Sequence, residues 1–102
     1  MANRSVTKWP TQIELFRVLE ALPDVGRFRW RRTIGNCMAG QEAGQKDGTI
    51  QIDGTLYHKP AIMWLLLFGQ ILPGAEIQTK NGDPNDCRVQ NLVSVMNPTK
   101  SN

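Results

Sequence analysis

The sequence predicts an α+β protein: an N-terminal helix, a small antiparallel sheet, a central apolar helix and a closing hairpin of two short strands. Three observations carry that expectation. "TQIELFRVLEAL" spaces its apolar residues at helical period, "RFRWRR" and "TIQIDGTLYHK" alternate at strand period, and "AIMWLLLFG" is apolar throughout. A chain of 102 residues fits one domain, 1–102, with flexible tails expected at 1–9 and 97–102.

The first helix is expected to start at Thr11, where Glu14 three residues on completes a capping box. Ile13, Phe16, Leu19 and Leu22 would share its buried face, and Pro23, opening the turn "PDVG", would end it. In "RFRWRR", Phe28 and Trp30 point one way and Arg27, Arg29 and Arg31 the other, the pattern of a half-buried strand with a cationic open face. The glycine-rich "AGQEAGQKDG", residues 39–48, reads as a loop. Beyond it, Asp53-Gly54 is a strong hairpin signal between two short strands. Residues 27–59 are therefore expected to form one small antiparallel sheet.

Pro60 suits the first turn of a helix and Gly69 its end, so "PAIMWLLLFGQ" is a helix for the core. Its apolar run is too short to span a bilayer. A strand around Glu76–Thr79, a polar loop and a second strand, "NLVSVM", follow. Trp30 and Trp64 are expected in the core, and Trp9 either staples the first helix or anchors a partner.

The net charge of +3 and the pI near 9.2 are compatible with nucleic acid without demanding it. Two isolated cysteines, Cys37 and Cys87, make no zinc motif and read as reduced thiols. "MANRSVTKWP" has no apolar segment of the kind a signal peptide needs, which places the protein in a cytoplasm, that of a bacterial host on the reading below.

"GRFRWRR", "AGQEAG", "IDGTLY", "MWLLLFGQILPG" and "NGDPNDCRVQNL", running from Asp24 to Val95, together resemble the small HNH endonucleases of bacteriophage genomes and mobile introns. The first looks like that family's G-x-F-x-W strand, and the last like its N-G-D-x-x-D-N-R-x-x-N-L loop. The resemblance implies a ββα-metal unit at the C-terminal end, truncated here because too few residues follow for its closing helix. It also implies an Asp-His pair closing the first strand, the Asp on a divalent metal and the His as base, with an Asn to orient that His. This sequence has Gln78-Thr79 at the pair, and Asn91 at the Asn. The last metal ligand would fall near Lys100, the upstream His-Arg pair on Pro60-Ala61, and the loop Asn on Cys87. The departures fall on the residues that do the chemistry, so the resemblance implies a degenerate nuclease without activity and without a cofactor.

Candidate residues follow. Arg27, Arg29, Arg31 and Arg32, with Lys46, Lys80 and Arg88 and with Arg17 near, are candidates to grip phosphate or a protein partner; the same arginines can instead be a solvated strand face that deters edge pairing. His58, the only histidine, is a fallback general base with Asn91, or a strand-end surface residue. Asp83 and Asp86 are a fallback metal pair, or bond the loop's own backbone, as Arg88 and Asn91 can. The expected partner is DNA or RNA, or else a host nucleic-acid-handling complex that a phage inhibitor would block. The apolar helix serves either a monomer core or a homodimer seam.

Overall fold

The computed structural model describes residues 9–96. The chain runs α1 (Gln12–Val18), β1 (Leu19–Leu22), β2 (Arg27–Trp30), β3 (Thr49–Ile52), β4 (Thr55–His58), α2 (Lys59–Phe68), β5 (Ala75–Thr79), a 3-10 turn at Val89–Asn91, and β6 (Leu92–Met96). The strands form three antiparallel pairs, β1 with β2, β3 with β4 and β5 with β6. This is the α+β layout that the sequence predicts.

The capping box forms: the Glu14 amide donates to Thr11 Oγ1 at 3.1 Å, and the Thr11 amide to Glu14 Oε1 at 3.0 Å. The helix it opens is shorter than expected. Leu19 to Leu22 leave it as β1, and Ala21 faces Phe28 while Leu19 faces Trp30 across the hairpin. Ile13 and Phe16 are exposed, and Leu15 and Leu19 take the buried positions. Backbone pairing explains the change: β2 needs a hydrogen-bonded neighbour, and the turn at 23–26 offers it "LEAL" against that segment's helix propensity.

The single sheet expected over 27–59 is also corrected. The link after β2 turns back along that strand's free edge: Ala43 N–H donates to Phe28 O, Trp30 N–H to Gln41 O and Gly40 N–H to Trp30 O. That edge is then unavailable to β3, which pairs with β4 alone. Their turn is as predicted, with Asp53 and Gly54 both at positive φ, 55° and 83°, the geometry of a two-residue hairpin loop.

α2 is the centre of the core. Ala61, Ile62, Met63, Leu65 and Leu66 are buried, and one apolar cluster joins them to Leu15 and Leu19, to Phe28 and Trp30, and to Ile77, Cys87 and Leu92. The helix thus serves this chain's own core, although Phe68 at its end is exposed. Trp30 is buried; Trp64 is half-buried and lies 4.5 Å, centroid to centroid, from Phe68. Trp9, expected in a flexible tail, is half-buried against Tyr57, their ring centroids 5.8 Å apart. The remaining tail residues lie outside those described. No helix of the described residues is long and apolar enough to cross a membrane.

Gly26 ends the β1–β2 turn at φ 75° and presses on the polar loop: a Cβ there would sit 2.5 Å from the Arg88 nitrogen and 2.7 Å from the Cys87 nitrogen. Both neighbours are backbone, so neither can swing aside. Gly26→Ala is expected to cost about 2–5 kcal/mol through left-handed strain and overpacking together. In thermal unfolding followed by circular dichroism that is a fall in Tm of at least about 10 °C. A shift of about 2 °C or less contradicts the close approach.

Candidate functional site

The polar loop between β5 and β6 is held by its own side chains. Asn81 Oδ1 accepts from the Asp83 amide at 2.9 Å and from Asn91 Nδ2 at 3.0 Å. Asn91 Nδ2 also donates to Asp86 O at 2.8 Å. Asp86 takes Arg88 in a fork, Nε to Oδ1 at 2.7 Å and Nη2 to Oδ2 at 2.8 Å, with Asn81 Nδ2 on Oδ2 as well at 2.9 Å. Asp83 Oδ1 accepts from the Asn85 amide at 2.9 Å. Such short polar side chains replace the missing ladder bonds of an irregular segment.

These contacts show where several candidates lie and what they touch. Asn91 is 7% exposed and its amide faces into the loop, bonded to Asn81 and Asp86. Both Asp86 oxygens are committed to donors, and Asp83 bonds loop backbone. Among the described residues no three His, Cys, Asp or Glu side chains are grouped so as to hold a metal ion. At the tip of β5, Gln78 is exposed, with Nε2 3.4 Å from Glu76 Oε1, and Thr79 is half-buried opposite Leu92. His58 caps α2 without a side-chain cap bond and is exposed. Cys87 is fully buried and donates to Pro84 O, and burial pushes its thiol up to about 12, which favours the protonated form at neutral pH. Both cysteines are free thiols.

The basic residues do not form one face. Along β2, Arg27 and Arg29 are exposed and Phe28 and Trp30 buried, as the alternation requires. Arg29 lies between two glutamates, opposite Glu20 on β1 and opposite Glu42 on the returning link. Arg31 falls beyond the strand and folds back, its Nε donating to Leu19 O at 2.8 Å. Arg32 joins Arg17 on a groove with Trp9, Trp30 and Tyr57. Lys80 sits past the end of β5, its amide bonded to Asn91 O. Arg27, Lys46 and Arg88 do come together, on the wall of a second concavity that also includes Asp83 and Asp86.

Two residues of that concavity escape the sequence reading. Lys59, the first residue of α2, is only 7% exposed, and its Nζ donates to Asn85 Oδ1 at 2.7 Å. Asn85 Nδ2 in turn donates to Lys46 O at 2.7 Å, so the two side chains clamp the loop to the glycine-rich link. One signal was available for Lys59: a cation at a helix N-terminus opposes the helix dipole and needs another reason to be there. Asn85 carried no such signal.

No family model, curated protein or solved structure matches the chain. The likeness to HNH endonucleases therefore stands on the quoted residues.

The Asp86–Arg88 fork has a titration signature. Hydrogen bonding to Arg88 leads the causes that lower the Asp86 carboxyl from 3.8 to about 2. A folded-state value below the unfolded one means the pair's contribution is complete above the unfolded value, near pH 4, and is lost as pH falls through about 2. Carboxyl-carbon NMR should show the Asp86 midpoint near 2, returning toward the ordinary carboxylate range in Arg88→Ala. A wild-type midpoint near 4 would mean that the fork does not form.

Proposed function

We propose that this protein is a non-catalytic nucleic-acid-binding module on an HNH-like scaffold, holding DNA or RNA by its backbone. The observation that carries the reading is the exposed pair Arg27 and Arg29 on β2, with Lys46 and Arg88 gathered beside Arg27. Guanidinium groups meet phosphate oxygens bidentately, and contacts of that kind fix position without reading sequence. The net charge of +3 agrees in sign with such a partner. Glu20 and Glu42 beside Arg29 temper the field, so binding should be modest and strongly weakened by salt.

The non-catalytic half rests on chemistry at the positions that the resemblance assigns. Gln78 offers a neutral amide where a carboxylate would hold a hard cation, and Thr79 a hydroxyl without basicity near neutral pH. Asn91, which would orient the base, spends its amide on the loop.

Fluorescence anisotropy with duplex and single-stranded oligonucleotides across a salt series tests the reading. The double variant Arg27→Ala, Arg29→Ala should weaken binding to every sequence alike and reduce the duplex salt slope by about two. Arg31 is left in place because its side chain supports Leu19 O. Affinity indifferent to the double change, or no affinity in the wild type, ends the binding half. Metal-dependent strand cleavage that disappears in His58→Ala ends the non-catalytic half.

A further inference from the structure

The concavity that holds Lys59 is built from three separate stretches: the end of the β1–β2 turn with Arg27, the link 42–46, and the loop 83–88, closed at its base by the start of α2. It encloses about 590 Å³, room enough for a phosphate group with its attached sugar. The Lys59 stem packs against Gly44 on the wall of this concavity. A Cβ on Gly44 would lie 2.4 Å from Lys59 Cε, so the glycine makes space for the lysine stem.

The charges within this site are unevenly paired. Arg88 is matched by Asp86 in its fork, and Arg27 is 4.0 Å from Glu42. Lys46 and Lys59 then face Asp83, and Asp47 on the adjoining turn also feels the Lys59 charge. Among the described residues no carboxylate is within ion-pair distance of Lys59. A buried ammonium held by one neutral amide oxygen is poorly compensated, and the positive end of the α2 dipole adds to the deficit. An anion in the pocket would relieve both.

We propose that this pocket seats a single phosphodiester group, with Lys59 as the inner cation and Lys46 and Arg27 at the rim. A phosphodiester carries one negative charge, enough to give Lys59 the anionic partner it lacks. For the source of that group the inference rests on the nucleic-acid reading above. The site itself stands on its own geometry.

The probe is dimethyl phosphate, a free phosphodiester anion, titrated into the intact protein and followed by amide NMR. A short thymidine single strand, followed by anisotropy, is the second arm. Dimethyl phosphate should shift the amides of Gly44 to Lys46 and of Asn85 to Arg88, and Lys59→Met, which keeps most of the stem and removes the charge, should abolish those shifts. The same substitution should lower single-strand affinity about tenfold, the loss of one charge-assisted phosphate contact, and cut the salt slope by about 0.7. Should Lys59→Met fail to fold, the exposed Lys46→Ala serves instead, with the dimethyl phosphate shifts reduced several-fold. Absence of wild-type shifts, or shifts indifferent to both substitutions, overturns the site. Phosphate shifts without oligonucleotide binding would keep the pocket and remove the nucleic-acid function; oligonucleotide binding that ignores Lys59 would do the reverse.

Discussion

The contact on which the rest of the structure depends is one of main chain on main chain. Gly26 lies against the backbone of Cys87 and Arg88 with no room for a side chain between them. The Val89 amide adds a hydrogen bond to Pro23 O at 3.1 Å, so both ends of the β1–β2 turn are tied to the polar loop. Through this contact the arginine hairpin and the C-terminal hairpin become neighbours, although more than forty residues separate them in the sequence. Arg27 follows Gly26 directly and therefore emerges beside Arg88. Separate the two hairpins, and the cations divide into unrelated surface charges.

A second constraint works from below. α2 enters the core with an almost wholly apolar sequence, but its first residue is a lysine that is buried with it. The helix cannot carry that ammonium inward without polar company, and Asn85 supplies it from the loop. Asn85 also reaches Lys46 O, and Gly48 packs so closely on Pro84 that a Cβ there would come within 2.7 Å of the ring. The loop is thus held on two sides by the link and the helix, and internally by Asn81, Asp86, Arg88 and Asn91. Rigidity of this kind keeps the rim of the pocket in place with few hydrophobic contacts of its own.

What could be read in the sequence was local. The Thr11 capping box, the Asp53-Gly54 turn, the burial of α2 and the Arg27–Trp30 alternation each follow from residues a few positions apart, and each is found. The errors concern distant pairing. "LEAL" has helical spacing in isolation, and only the need of β2 for a neighbour turns it into a strand. The glycine-rich link reads as a spacer, yet its backbone covers the second edge of β2 and brings Glu42 opposite Arg29. Hence the row of arginines, uniform in sequence, is partly neutralised and partly folded away in space. Lys59 was hidden for the same reason, since its partner Asn85 is 26 residues on.

The loop also separates the residues that hold its shape from those that do not. The residues that hold its shape are Asn81, Asp83, Asp86, Arg88 and Asn91, bonded to one another or to nearby main chain. None of these bonds requires a carboxylate at position 78 or an imidazole at position 79. Those two side chains lie on β5, where the ladder to β6 is made by backbone groups and not by the side chains. The shape of the loop is therefore carried by residues other than Gln78 and Thr79. A change at Gln78 or Thr79 leaves the loop intact, whereas a change at Asn91 would strip donors from Asn81 and from Asp86 O in a buried site. Folding alone therefore demands a residue like Asn91 and leaves positions 78 and 79 less constrained.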